Sequence, residues 1–438
     1  MENIQKTKIN NNIQLITEEI PFLNSASLGI FFNQGSRNEK KDIQGITHLI
    51  EHMLLKGTKY KTATEISHFV ESRGSIIDAF TGKESTGIYS RFLVDNSCFE
   101  SMADLLCEIV IDSVFDEQEL EKEKNVIFQE ILESQEDPSD CAFSLLFTAL
   151  FPNHPLSFQI AGTLDTIQNI NRNYLVNHYH HNHLRSKICI VAVGKVNHNE
   201  NVTKFKDKFS ILSSAEITKN SFFTPAQPQY AVGIQPRTDL NQVYCVLGTD
   251  TFSYSDKRKY ALSVINTALG GSLSSRLFQR LREKEGLVYT ISTFGDLYVD
   301  IGVWGLYFIT DNKNLTRVLN IIFEENQKLR REKLTQKEFE LAVNFCKGSL
   351  VLGLENPMSR MMRIGKNELL LNEIIPIEET LNRYTQLTLD DVNSIIDEVI
   401  KPNFSAGIVG PINELEIKKL EFMPENIFIK DTECKNNH

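Results

Sequence analysis

Hydrophobic and polar positions along the chain divide it into strands and helices that recur in a similar order. In IQLITEE (13–19) apolar and polar residues alternate, and SLGIFFNQGS (27–36) is an apolar run closed by Gly35 and Ser36; both predict β-strands. Helical periodicity follows over about 43–56 and 63–73, with Gly74 ending the second. SIIDAFTG and STGIYSRFLV flank Gly82-Lys83 and predict a hairpin. A long helical pattern covers about 97–135, further helices run to about 180, and SKICIVAVGKV predicts a closing strand. Residues 214–235 break the regularity, with Pro225, Pro228, Ser and Asn clustered there, and predict a linker. The order then repeats. VYCVLGTDTFS is a strand, helices follow at about 256–269 and 273–285, and VYTISTFG with DIGVWGLYFIT form a strand pair. Helices fill 313–400, and SAGIVGPI closes the half as CIVAVGKV closed the first. The polar tail DTECKNNH is expected to be disordered. The pattern predicts a duplicated α+β domain, with an N-terminal domain over 1–213, a linker over 214–235 and a C-terminal domain over 236–438.

Composition narrows the function. The 438 residues are 41% apolar, enough for large cores, and carry a net charge of −11. An acidic surface repels phosphate backbones, so nucleic acid is not an expected partner. The N-terminus MENIQKTKINNNIQLITEEI has no apolar core run, no small-residue cleavage site and no Arg-rich amphipathic character, and predicts neither a secretory nor a transit signal. No stretch approaches the length of a membrane span, so no membrane association is expected. The seven cysteines are odd in number and scattered, without a CxxC pair; reduced thiols in a cytoplasmic protein are expected.

The candidate chemistry lies in GITHLIEHMLLKGT, residues 45–58. On a helix, positions i and i+4 share a face with Cβ atoms ~5–6 Å apart. His48 and His52 therefore project side by side, a spacing that suits two imidazoles on one Zn²⁺. Glu51 borders the same face, within reach of a water on the metal, whose proton it can take as general base. H-x-x-E-H is a known inverted zinc-peptidase motif. A catalytic zinc needs a third protein ligand and an open position. The carboxylate-rich helix DEQELEKEKNVIFQEILESQED offers Glu123 and Glu130, two turns apart on one face, with Val126 and Ile127 beside them able to pack inward. Periodicity does not choose between the two.

The segment GSRNEKKDIQGITHLIEHMLLKGTKYKTATEI resembles the active-site segment of the pitrilysin family of zinc peptidases, which includes insulysin and the mitochondrial processing peptidase. EKNVIFQE resembles the family's distal ligand segment. The resemblance implies one Zn²⁺ per chain held by His48, His52 and Glu130, with Glu51 as base and Glu123 supporting the site from behind the ligands. SIIDAFTGKESTGIYSRF is similar to the family hairpin whose edge strand pairs with substrate backbone, implying substrate contacts at Asp78, Ala79, Phe80 and Thr81. Asp78 departs from the family's usual Asn: an ionised Asp only accepts hydrogen bonds, whereas Asn also donates. GGSLSSRLFQRLREKEGLVYTIS resembles the second-half signature, implying that Arg282 and Tyr289 bond the substrate carbonyl as it becomes an oxyanion. The resemblance runs from about residue 8 to 412 and implies two domains of one fold, each an antiparallel sheet with helices packed on it. It also implies an endopeptidase acting on peptides or extended segments in a closed chamber, as in the smaller bacterial members that pair two subunits. A homodimer is the simplest arrangement and a heterodimer the alternative. A non-catalytic scaffold or peptide-binding subunit is the competing class, and the intact ligand set argues against it.

Two other features attract less weight. NHYHHNH brings together His178, His180, His181 and His183, but no carboxylate spacing accompanies them, and the stretch reads as a loop. GKVNHNE and LGGSLSS lack the ending of a phosphate-binding loop.

Overall fold

The structure, a computed structural model, describes residues 2–94, 98–212, 225–412 and 428–430. Half of the expected linker (214–224) and the tail (431–438) lie outside the described residues, and the linker ends earlier than expected, because residues 232–235 belong to the strand Val232–Pro236. The chain forms two compact units, one from residues within 1–132, 158–224 and 351–378, the other from residues within 133–157, 225–350 and 379–438.

The first unit carries a six-stranded sheet of β1 (Asn3–Lys8), β2 (Ile13–Glu19), β3 (Ser25–Phe32), β4 (Ile76–Thr81), β5 (Thr86–Leu93) and β6 (Ile188–Gly194). Their spatial order is β1-β2-β6-β3-β5-β4, antiparallel except for the β2–β6 pair. A parallel neighbour needs a long crossover, and the helices between β5 and β6 supply it. Strand β6 is apolar on both faces because both are covered. Ile188, Ile190 and Ala192 join the core beneath α1 (Ile46–Leu54), α2 (Ala63–Glu71), α3 (Cys98–Asp112) and α4 (Glu117–Glu136). Cys189, Val191 and Val193 face the other way, into a cluster with Met361, Ile364 and Leu369 of the helix Pro357–Leu371.

The second unit repeats the plan with β7 (Val232–Pro236), β8 (Gln242–Thr251), β9 (Val288–Leu297), β10 (Gly302–Asp311), β11 (Ser405–Gly410) and β12 (Phe428–Lys430). Their order is β12-β7-β11-β8-β10-β9, with β7 parallel to β11 and β12 parallel to β7. Its second face is covered by α5 (Pro138–Leu150), which puts Ala142 and Leu146 against Val246 and Val409. The approach is close enough that a Cβ on Gly407 would fall 1.9 Å from the Ala142 carbonyl oxygen, so only glycine fits there.

Several sequence expectations change in detail. The pattern over 97–135 is two helices, α3 and α4, separated where Phe115 turns to a φ of 48°. The polar strand β1 carries no alternating signal because it lies on a sheet edge and is mostly exposed. The His178–His183 stretch is not a loop: it ends the helix Arg172–His178 and continues as a wide helical turn over Tyr179–His183. Tyr179 and His183 are drawn into the core against Phe32, which gives this histidine-rich run a packing role.

Candidate metal centre

Helix α1 buries Ile46, Leu49, Ile50 and Met53, the i, i+3, i+4, i+7 stripe that seats it on the sheet. That seating turns His48, Glu51 and His52 to the opposite side. Their side chains keep only 17%, 16% and 15% of their surface, so the face is recessed yet reachable. On α4 the buried stripe is Leu120, Glu123, Lys124, Ile127 and Ile131. Ile127 packs inward as expected, but Val126 does not: it is 44% exposed, one step off that stripe. Glu130 lies beside the stripe with its side chain 42% exposed.

The two helices bring three donors together. Glu130 Oε2 lies 3.8 Å from His48 Nε2 and 3.6 Å from His52 Nε2. Among the described residues, His48, His52 and Glu130 form the one group whose donor atoms all fall within 4.8 Å of one another. Tetrahedral ligands at ~2.0–2.2 Å from a metal sit roughly 3.3–3.5 Å apart, so a small inward movement would close this set on a divalent ion. The behaviour of each donor fits as well. His52 Nδ1 donates to Glu123 Oε2 at 3.0 Å, which leaves its Nε2 lone pair free for a metal, and Lys56 holds the other Glu123 oxygen at 2.7 Å. Burial, helped by the neighbouring His52, pushes His48 down to about 4, so it is neutral and able to ligate at pH 7.

Glu51 Oε2 lies 3.9 Å from His48 Nε2 and accepts the Thr81 hydroxyl at 3.0 Å. Burial raises its pKa above the usual carboxylate range. The Thr81 hydrogen bond and His52 oppose the rise, while the charges of Asp78 and Glu130 add to it. Thr81 ends β4, the open edge of the first sheet, so one side chain ties the candidate base to the candidate substrate strand. Asp78 lies further along that strand. Its Oδ2 accepts from the Tyr89 hydroxyl at 2.9 Å and its Oδ1 from the Ala79 amide at 2.9 Å. Phe80, two residues on, shares the Asp78 face near Phe31 and Tyr89, opposite the face that Thr81 turns to Glu51.

Arg282 and Tyr289 belong to the second unit. Arg282 donates to the Val288 carbonyl at 2.9 Å, and Tyr289, 52% exposed, donates to Asp311 at 3.2 Å. Arg282 thus bonds the first residue of β9 and Tyr289 is the second, on a strand that is the open edge of the second sheet. Sequence reasoning missed Lys56, Tyr89 and the bond between Thr81 and Glu51. Lys56 is four residues after His52 and shares its side of the helix end, which is the one signal that pointed to it.

The chain is also similar to known proteins. The insulinase (peptidase family M16) model matches residues 14–164, which hold the whole donor set, and the peptidase M16 inactive-domain model matches residues 169–345. An uncharacterized zinc protease of Streptomyces coelicolor is 31% identical over 422 residues, 95% of this chain and 92% of its own. The uncharacterized zinc protease YmxG of Bacillus subtilis is 32% identical over 411 residues, 93% of this chain and 98% of its own. Two crystal structures share the fold. One is a peptidase M16 inactive domain from Pseudomonas fluorescens, with TM-score 0.83 and 19% identity, covering 94% of this chain and 99% of its own. The other is a protease from Helicobacter pylori, with TM-score 0.84 and 18% identity, covering 93% and 100%.

Proposed function

Because this chain belongs to the pitrilysin (M16) peptidase family, we propose that it is a zinc-dependent endopeptidase acting on peptides or extended segments. The observation that carries the reading is the convergence of His48, His52 and Glu130 with Glu51 beside them. A divalent metal at these ligands supplies Lewis acidity toward the scissile carbonyl and acidifies water. Zinc suits a two-histidine, one-carboxylate set.

The chain's own groups then do the following work. Glu51 takes a proton from the attacking water as its oxygen bonds to the carbonyl carbon, and returns that proton to the amine nitrogen as the C–N bond breaks. Thr81 holds the carboxylate in place through its hydroxyl. Glu123 fixes the His52 ring through Nδ1. The open edge of β4 receives substrate backbone, with main-chain bonds that demand no particular sequence. Arg282 and Tyr289 donate to the carbonyl oxygen as it gains charge.

Two experiments test this. Wild type and Glu51→Gln are compared on a quenched unstructured peptide library with bound metal counted in both. Wild type should cut, Glu51→Gln should not, and both should hold about one zinc per chain. Metal in both with cleavage by neither would favour a non-catalytic subunit; metal in neither would sink the assignment. Tyr289→Phe should lower kcat by about 10-fold or more at unchanged metal content. Loss of metal in that variant would refute the place given to the tyrosine.

A further inference from the structure

Helix α1 starts without a cap of its own. Its N-cap residue is Gly45, which has no side chain and sits at a φ of 87°, so the first amides of the helix need a partner from elsewhere. Glu39 supplies it. One carboxylate oxygen accepts from the Gly45 amide at 2.8 Å and the other from the Thr47 amide at 2.8 Å, both bonds buried. Thr47 immediately precedes His48, so these two bonds fix the rotation of the turn that presents the first metal ligand.

Glu39 also ends a short turn that is docked on the tip of the β4–β5 hairpin. The Ser36 amide donates to the Gly82 carbonyl at 3.1 Å and the Arg37 amide to the Lys83 carbonyl at 2.8 Å. The buried Arg37 guanidinium meets Glu84 at 2.7 Å. The partly buried Lys83 ammonium donates to the Phe158 carbonyl and lies within electrostatic range of Glu39. One segment, residues 36–39, therefore grips both the helix that carries His48, Glu51 and His52 and the hairpin that carries the edge strand.

Burial pushes the Glu39 carboxyl up to about 7, so its contribution, present below the unfolded value of 4.5, is lost as pH rises through about 7. Burial likewise pushes Lys83 down to about 8. A buried ion kept at such cost is better explained by the geometry it imposes than by the stability it adds.

We propose that Glu39 is the positioning residue of the metal site: it caps α1 from outside the helix and registers that helix to the substrate-binding edge of β4. The proposal rests on the metallopeptidase reading given above. Its test uses Co²⁺, whose visible absorption reports ligand geometry without turnover, together with kcat and KM measured separately on a quenched peptide. In Glu39→Gln an NH₂ group must face one of the two amides it should accept from. The variant should keep the wild-type circular dichroism, bind Co²⁺ about 10-fold more weakly with a displaced absorption band, and lose about 10-fold in kcat at saturating metal with KM within about 3-fold. An unchanged cobalt spectrum, affinity and kcat, with only the melting temperature lowered, would overturn it.

Glu84→Gln is the second variant, useful if the first does not fold. It leaves the cap intact and loosens Arg37, so kcat/KM should fall by about 3-fold at unchanged Co²⁺ affinity, and an unchanged kcat/KM would remove the registering role. A wild type that takes up no Co²⁺ overturns the parent reading instead, which is told apart because wild type and variant then agree in every readout.

Discussion

Two glutamates on α4 divide their labour according to which side of the helix stripe they occupy. Glu123 is 5% exposed and committed to two partners, His52 and Lys56. Glu130 is half-open, with one carboxylate oxygen 3.6 and 3.8 Å from two imidazole nitrogens. Replacing Glu130 with Gln removes a charged donor and should cut zinc affinity by about 100-fold or more, whereas Glu123→Gln, which only disturbs the orientation of His52, should cost about 10-fold. Competition against a chelator of known affinity measures both, and the reverse ranking would exchange their roles. Periodicity carried both residues as candidates but could not rank them, because residues seven apart on a helix share a face whether that face is buried or wet; only the family resemblance set Glu130 apart as the ligand. The spacing of His48, Glu51 and His52 puts them on one helix face beside an apolar stripe, and the family resemblance, not the spacing alone, marked that face as a metal site. Glu39 and Lys83 were not: charged residues in polar loops look solvated in a sequence, and only tertiary burial reveals otherwise.

At the scale of elements, β4 is the feature with most to explain. The Gly82 amide donates to the Ser85 carbonyl at 2.8 Å, which makes that pair a hydrogen-bonded one. Antiparallel pairs alternate, so Phe80–Gly87 is bonded and Ala79–Ile88 is not. The Ala79 amide therefore points away from the sheet to the open side, consistent with its bond to the Asp78 carboxylate rather than to β5. An added substrate strand would need that donor. Ala79→Pro deletes it at an edge position where proline is tolerated, and should lower kcat/KM by about 5- to 10-fold through KM while leaving zinc content unchanged. An unaltered KM would show that substrate does not pair there. The hairpin itself was readable from its alternation and its Gly-Lys turn. The wide helical turn at Tyr179–His183 was not, since its three histidines give no apolar period and the residues drawn inward are an aromatic and one imidazole.

At the scale of the molecule, the repeat in the sequence is real, but the units do not respect its midpoint. Residues 133–157, from the earlier half of the chain, pack in the second unit, and residues 351–378, from the later half, pack in the first. Two helices, α5 and Pro357–Leu371, are thus exchanged, each covering the second face of a sheet otherwise built from the opposite half. Hydrophobic periodicity marks a helix and its apolar side but not the sheet that side will meet, so the exchange left no trace in the pattern. The doubly apolar strands were the indirect sign: CIVAVG and SAGIVG need cover on both faces. This has a consequence for the parts in isolation. Residues 1–213 alone lack the helix that covers Ile16, Phe31, Tyr89, Cys189, Val191 and Val193. Fully exposing six such side chains costs on the order of 10 kcal/mol at roughly 1.5–3 kcal/mol each, comparable to the whole stability of an ordinary domain. Expressed alone, 1–213 should therefore be aggregated or molten by circular dichroism and dye binding. Co-expressed with a chain starting within 214–224 and running to the end, it should become soluble and co-purify, because the second chain returns Pro357–Leu371 and receives α5. A soluble, cooperatively melting 1–213 fragment would show that the exchanged helix is dispensable cover and that the halves, not the exchanged units, are the folding domains.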